Sequence, residues 1–165
     1  MSNMKNIIFF LFFATQYGFS QNKGLLNLSH LVNKSWETEG KWKNGNRFIQ
    51  NIKFEYSLNS TLLKSKTNGF IDSTETKFGL RNEGIRQFDQ WSKKNRFWEF
   101  DIFGGCTTGE FIIEDKSFYY VYNYEGILLT DYWLFVDENT YILTVGTYEE
   151  GKWKQKFIET TFLGK

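Results

Sequence analysis

From Trp36 onward, apolar and polar positions alternate with a period of two. Phe48, Ile52, Phe54, Tyr56 and Leu58 fall on one side of an extended chain, and Asn51, Lys53, Glu55 and Ser57 on the other. Successive side chains of a strand point to opposite faces, so this pattern predicts a strand with one buried and one wet face. The alternation returns in Trp98, Phe100 and Ile102 against Glu99 and Asp101, and again in Phe118, Tyr120, Tyr122 and Tyr124. Tyr132-Trp133-Leu134-Phe135-Val136 is apolar on both faces, as in a strand covered on both sides or lining a cavity. The one helical candidate beyond the leader is Leu25 to Val32, where Leu25, Leu28 and Val32 share a side and would cap one end of the fold.

Turn residues punctuate these runs: Asn44-Gly45, Asn59-Ser60, Asn68-Gly69, Asn82-Glu83-Gly84, Lys93-Lys94-Asn95, Gly104-Gly105, Glu114-Asp115-Lys116, Glu125-Gly126, Asp137-Glu138-Asn139 and Glu150-Gly151. Asn-Gly is a strong hairpin signal, because a type I′ turn needs positive φ at both central positions. Turns at intervals of roughly 8–12 residues mark an all-β sandwich or barrel. The expectation is an antiparallel up-and-down meander of about 8–10 strands, and closing it into a barrel removes its unpaired edges.

The N-terminus has a different character. Lys5 precedes the apolar run Ile7 to Ala14, and small residues follow at Gly18 and Ser20. The run has the length of a signal h-region and is too short for a membrane-spanning helix, which needs about 20 residues. Residues 1–20 are therefore expected to be a signal peptide, starting at Met1 or Met4, with a single domain over 21–165. That implies an exported protein, periplasmic or extracellular, whose mature chain has no transmembrane segment.

Composition sharpens this picture. The 165 residues carry 20 Lys and Arg against 19 Asp and Glu, and removing the leader takes one lysine and leaves the charges balanced. Such a chain lacks the basic excess that phosphate neutralisation demands, which argues against a nucleic-acid partner. With one cysteine and no proline, neither an internal disulfide nor a multi-thiolate zinc site is open to it. Stability has to come from burial of aromatic and branched side chains in a sheet.

The stretch Leu28-Ser29-His30-Leu31-Val32-Asn33-Lys34-Ser35-Trp36, a short apolar turn running into a first strand with an early Trp, followed by a pure meander, resembles the lipocalin-like β-barrels of the calycin group. Among these it is most similar to bacterial exported domains. The resemblance implies a barrel that holds a small ligand inside. Lys34 stands where lipocalins proper carry Gly, and the last strand has Lys154 and Lys156 but no Arg to lie over the Trp. The Arg-X-Tyr with which fatty-acid-binding relatives hold a carboxylate is missing too.

The ligand-lining candidates are Trp36, Phe54, Tyr56, Trp98, Phe100, Tyr120, Tyr122 and Trp133, which serve equally as core aromatics. A small apolar or amphipathic molecule is the expected partner, with no cofactor and no metal; the sequence leaves the oligomeric state open. His30 has no second imidazole with which to share a metal, and Cys106, in a glycine-rich loop, has no evident base to activate it. Glu37 with Glu39, and Glu99 with Asp101, are i, i+2 carboxylate pairs of the kind glycosidases use, though solvated strand faces also present such pairs. Arg81 and Arg86, flanking the Asn82-Glu83-Gly84 turn, could steer an anion into a barrel mouth. Lys152, Lys154 and Lys156 form a stripe suited to protecting an edge or solvating a face. Catalysis is thus the less favoured reading. The alternative to ligand binding is an envelope or surface interaction module, with Trp42 and Trp91 on loops contacting a partner such as a glycan.

Overall fold

The computed structural model describes residues 23–165; the expected signal peptide lies outside the described residues. The chain opens with one turn of helix, α1 (Lys23–Leu26), and a 3₁₀ turn (Ser29–Leu31). Ten strands follow: β1 (Ser35–Lys41), β2 (Arg47–Ser57), β3 (Leu62–Phe70), β4 (Phe78–Asp89), β5 (Lys94–Asp101), β6 (Cys106–Glu114), β7 (Ser117–Tyr124), β8 (Ile127–Asp137), β9 (Thr140–Glu149) and β10 (Lys152–Gly164). Each pairs antiparallel with the next, and β10 returns to β1, so the meander closes into a barrel. Among the described residues, no helix is long and apolar enough to cross a membrane.

The hairpins turn at most of the anticipated places. Gly45, Gly104, Gly126 and Gly151 take positive φ in the β1–β2, β5–β6, β7–β8 and β9–β10 connections, conformations that cost glycine little. Two expected turns are strand interior instead. Asn68-Gly69 belongs to β3, beside a register shift between Thr67 and Asn68, and Asn82-Glu83-Gly84 belongs to β4. The turn between them spans residues 71–77. The Asp72 carboxylate organises it by accepting from the Thr76 and Lys77 backbone N–H groups at 3.1 and 2.9 Å. Leu58, expected on the buried face of β2, has φ 49° at the β2–β3 turn and is exposed.

One end of the barrel is plugged. Leu25, Leu28 and Leu31 of the N-terminal turns are buried there with Trp36, Phe118, Tyr141 and Phe162. The helical stretch is shorter than expected and buries Leu31 where Val32 was anticipated; Val32 instead makes an isolated bridge to Phe54. The Trp36 indole N–H donates to the Leu31 carbonyl at 3.0 Å, and its ring meets Tyr141 edge-on at 5.2 Å. The cation over Trp36 is Lys34, 5.7 Å from the ring centroid, rather than a residue of the last strand. Lys154 and Lys156 lie 3.9 and 2.5 Å from Glu150 and Glu159, so with β10 paired to β1 they solvate a face and guard no edge.

Candidate functional site

Above the plug the interior opens into a cavity of about 580 Å³, walled by Phe48, Ile52 and Phe54 of β2, Tyr120 and Tyr122 of β7, Asp131 and Trp133 of β8, and Leu143 and Val145 of β9. Its mouth is rimmed by Trp42, Arg47, Phe70, Arg81, Phe103 and Tyr124. The volume is of the size that takes one small molecule, as an interior of eight or more strands allows.

Four of the eight aromatics singled out from the sequence, Phe54, Tyr120, Tyr122 and Trp133, line this cavity. Trp36 is in the plug. Tyr56 reaches the same end, where its hydroxyl donates to the Leu25 carbonyl at 2.6 Å. Trp98 and Phe100 lie elsewhere, because β5 has the opposite phase to the one its alternation suggests. Phe97 and Glu99 face inward, and Phe100 is 49% exposed outside. The register supplies the reason: Gly84 of β4 lies opposite Glu99, and Gly109 of β6 opposite Phe97. A Cβ on Gly84 would sit 1.5 Å from Glu99 Oε2, and one on Gly109 would sit 2.1 Å from the Val121 carbonyl oxygen and 3.0 Å from the Phe97 ring. The two glycines leave room inside the wall for a carboxylate and an aromatic ring.

The polar residues of the interior form a connected cluster that sequence reasoning missed. Arg86, expected beside a turn, is buried on β4. Its Nε donates to the Tyr120 hydroxyl at 2.9 Å, and Nη1 donates to Ser65 Oγ at 2.6 Å and lies 3.1 Å from Glu99 Oε2. Asn82 adds a bond to Glu99 Oε1 at 2.8 Å. Burial works to strip the Arg86 proton, but Glu99 and Tyr120 together more than offset it and the guanidinium is held charged. Burial pushes the Tyr120 phenol up to about 12, against the opposing pull of Arg86. Glu99 Oε2 is nevertheless buried without a hydrogen-bond donor of good geometry.

Asp131 is the second carboxylate of the wall. Tyr122 donates to its Oδ1 at 3.0 Å, and no cation among the described residues pairs with it. Burial, opposed by the Tyr122 bond and assisted by the charge of Glu99, raises Asp131 to about 7. The aromatic surroundings are tight: Phe97 meets the Tyr120 and Tyr122 rings edge-on at 4.8 and 5.9 Å, and Tyr120 stacks on Phe111 at 4.9 Å.

Most of the other candidates are occupied structurally. Asp101 accepts from the backbone N–H groups of Phe103 and Gly105 at 2.8 and 2.9 Å, fastening the β5–β6 turn, so it does not act with Glu99. Glu39 pairs with Arg47 at 3.4 Å, and Glu37 with Lys165. Arg81 bonds the Phe70 carbonyl and covers the Phe103 ring at 5.2 Å. His30 is engaged with the Tyr141 hydroxyl, and Cys106 is exposed at the start of β6. Trp42 leans edge-on against Phe48 at 5.2 Å at the mouth, while Trp91 is 93% exposed at the plugged end, so the two do not form one contact face.

A closed ten-stranded antiparallel barrel, plugged at one end and hollow above, is consistent in architecture with a lipocalin-like barrel. The chain matches no known family profile and no curated protein.

Proposed function

We propose that this chain is a small-molecule-binding barrel of the lipocalin-like, calycin type. On this reading it is exported after loss of residues 1–20 and holds one largely apolar ligand inside without transforming it. The observation that carries the reading is the cavity of about 580 Å³, open at one end and walled by Phe48, Phe54, Tyr122, Trp133, Leu143 and Val145. A folded chain ordinarily fills its interior closely, whereas this barrel keeps an open-mouthed chamber of ligand size lined by aromatic and aliphatic side chains. A binding role fits the chemistry better than a catalytic one, because the Glu99–Asp101 pair is split between an ion pair and a turn.

Trp133 and Trp42 are natural reporters. Titration with 1-octanol, followed by intrinsic fluorescence, is expected to give a saturable one-to-one change, and Val145→Trp, which projects an indole from the wall into the chamber, is expected to weaken it. A linear, non-saturating response in the parent protein would sink the reading.

A further inference from the structure

Two carboxylates of the cavity wall are under-partnered, and they identify the polar end of the occupant. The Arg86 donors are largely committed within the wall, to Tyr120, to Ser65 and to both oxygens of Glu99. The acceptors are not matched in the same way. Glu99 Oε2 lacks a well-aligned donor, and Asp131 has the Tyr122 hydroxyl and no counter-ion. Arg86 and Glu99 cancel, so ionised Asp131 gives the interior one uncompensated negative charge. A buried charge is stable only when paired, and a carboxylate-bearing ligand would add a second negative charge to a wall whose one buried guanidinium, Arg86, is already committed to Glu99.

We propose that the cavity binds a protonated amine with an apolar tail, its ammonium group beside Asp131 and against the Tyr122 and Trp133 rings. The geometry suits such a group. Asp131 and Trp133 are i, i+2 on β8 and face the same cavity, and Tyr122 reaches Asp131 from β7. An ammonium supplies donors and charge together, and aromatic faces attract it. The inference rests on the cavity-binding reading and specifies its ligand class.

The test compares octylammonium, 1-octanol and octanoate by calorimetry at about pH 8, where the amine is protonated and Asp131 ionised. Octylammonium is expected to bind about tenfold or more tightly than octanol, and Asp131→Asn to remove that advantage, with circular dichroism confirming the fold. The parent protein supplies a second measurement that needs no variant. Lowering the pH from about 8 to about 5 protonates Asp131 and weakens octylammonium binding, while octanol binding stays level. The groups facing Asp131 do not confuse this: Tyr120 and Tyr122 of β7 titrate far above the range, Arg86 of β4 stays charged beside Glu99 of β5, and Val145 of β9 is apolar. Equal binding of amine and alcohol would overturn the amine inference and leave the cavity reading standing. Tightest binding of octanoate would overturn it in favour of an Arg86-directed anion. Binding of none of the three would overturn the cavity reading and the inference with it.

Discussion

Around Trp36 and around Arg86 the barrel uses the same kinds of residue, aromatic rings with embedded polar atoms, and handles them in opposite ways. At the plugged end every principal polar atom meets a partner from the chain: Trp36 Nε1 bonds the Leu31 carbonyl, Tyr56 the Leu25 carbonyl, and Tyr141 the Lys116 carbonyl at 2.6 Å. The rings close over one another, with Trp133 and Phe162 centroids 4.4 Å apart and Phe118 stacked on Trp133 at 5.4 Å. Midway up the barrel the rings stand back from a chamber, and acceptors on Glu99 and Asp131 go without full partners. A satisfied aromatic layer stabilises the fold; an unsatisfied one holds capacity for something else.

If that contrast is right, the largest loss of stability follows truncation in the plug. Trp36→Ala removes a fully buried indole from contact with Tyr141 and the Leu31 carbonyl. Such a change costs about 3–5 kcal/mol, read as a lower midpoint in urea unfolding with an unchanged slope. A loss below about 1 kcal/mol, within the range of ordinary surface changes, would mean that the plug is not where the stability resides.

Asp131→Asn sharpens the contrast because its expected sign is reversed. With a folded-state pKa of about 7 against 3.8 in the unfolded chain, the acid binds its proton more tightly when folded. Its contribution to stability is therefore fully present below about pH 4 and is lost as the pH rises to about 7. Asparagine keeps the Tyr122 hydrogen bond and has no charge to bury. The variant is expected to gain on the order of 2–3 kcal/mol above pH 7 and nothing near pH 4, measured as parallel urea titrations across pH. Destabilisation by Asp131→Asn at all pH values would place this carboxylate among the structural groups and erase the distinction between the two layers.

The same contrast explains what the sequence disclosed. In β2, where one face is apolar and the other polar, alternation assigned the inward face correctly, with Phe54 inside; in β7, whose other face carries Tyr119 and Val121, the alternating Tyr120 and Tyr122 are inside as well. Phe97-Trp98-Glu99-Phe100 has bulky apolar residues on both faces, so alternation alone could not set its phase; the deciding partners, Gly84 and Gly109, are known only from the register. Asn82-Glu83-Gly84 resembles a turn because Asn and Gly have two uses, and here they make space and hydrogen bonds for Glu99. The turn at 71–77 went unnoticed because an aspartate side chain, rather than a glycine, organises it. Asp131 did leave a trace, as the one charged residue between Ile127 and Val136 in a largely apolar stretch.

The smallest expected effect separates the inside of the plugged end from its outside. Trp91 sits on the β4–β5 turn near the N-terminal cap, and at 93% exposure it buries almost nothing. The turn is held without its ring: the Asp89 carboxylate accepts from the backbone N–H groups of Trp91 and Ser92 at 3.1 and 3.2 Å, and from the Ser92 hydroxyl at 2.6 Å. Trp91→Ser keeps those bonds and removes only exposed apolar surface, so the urea midpoint is expected to shift by less than about 0.5 kcal/mol in equivalent stability. The octanol titration should be untouched, since Trp91 lies outside the wall of the cavity. A loss as large as that of Trp36→Ala would show that the plug extends to its outer surface. Loss of octanol binding would tie the exposed tryptophan to the ligand, and the division between a structural end and a binding chamber would have to be redrawn.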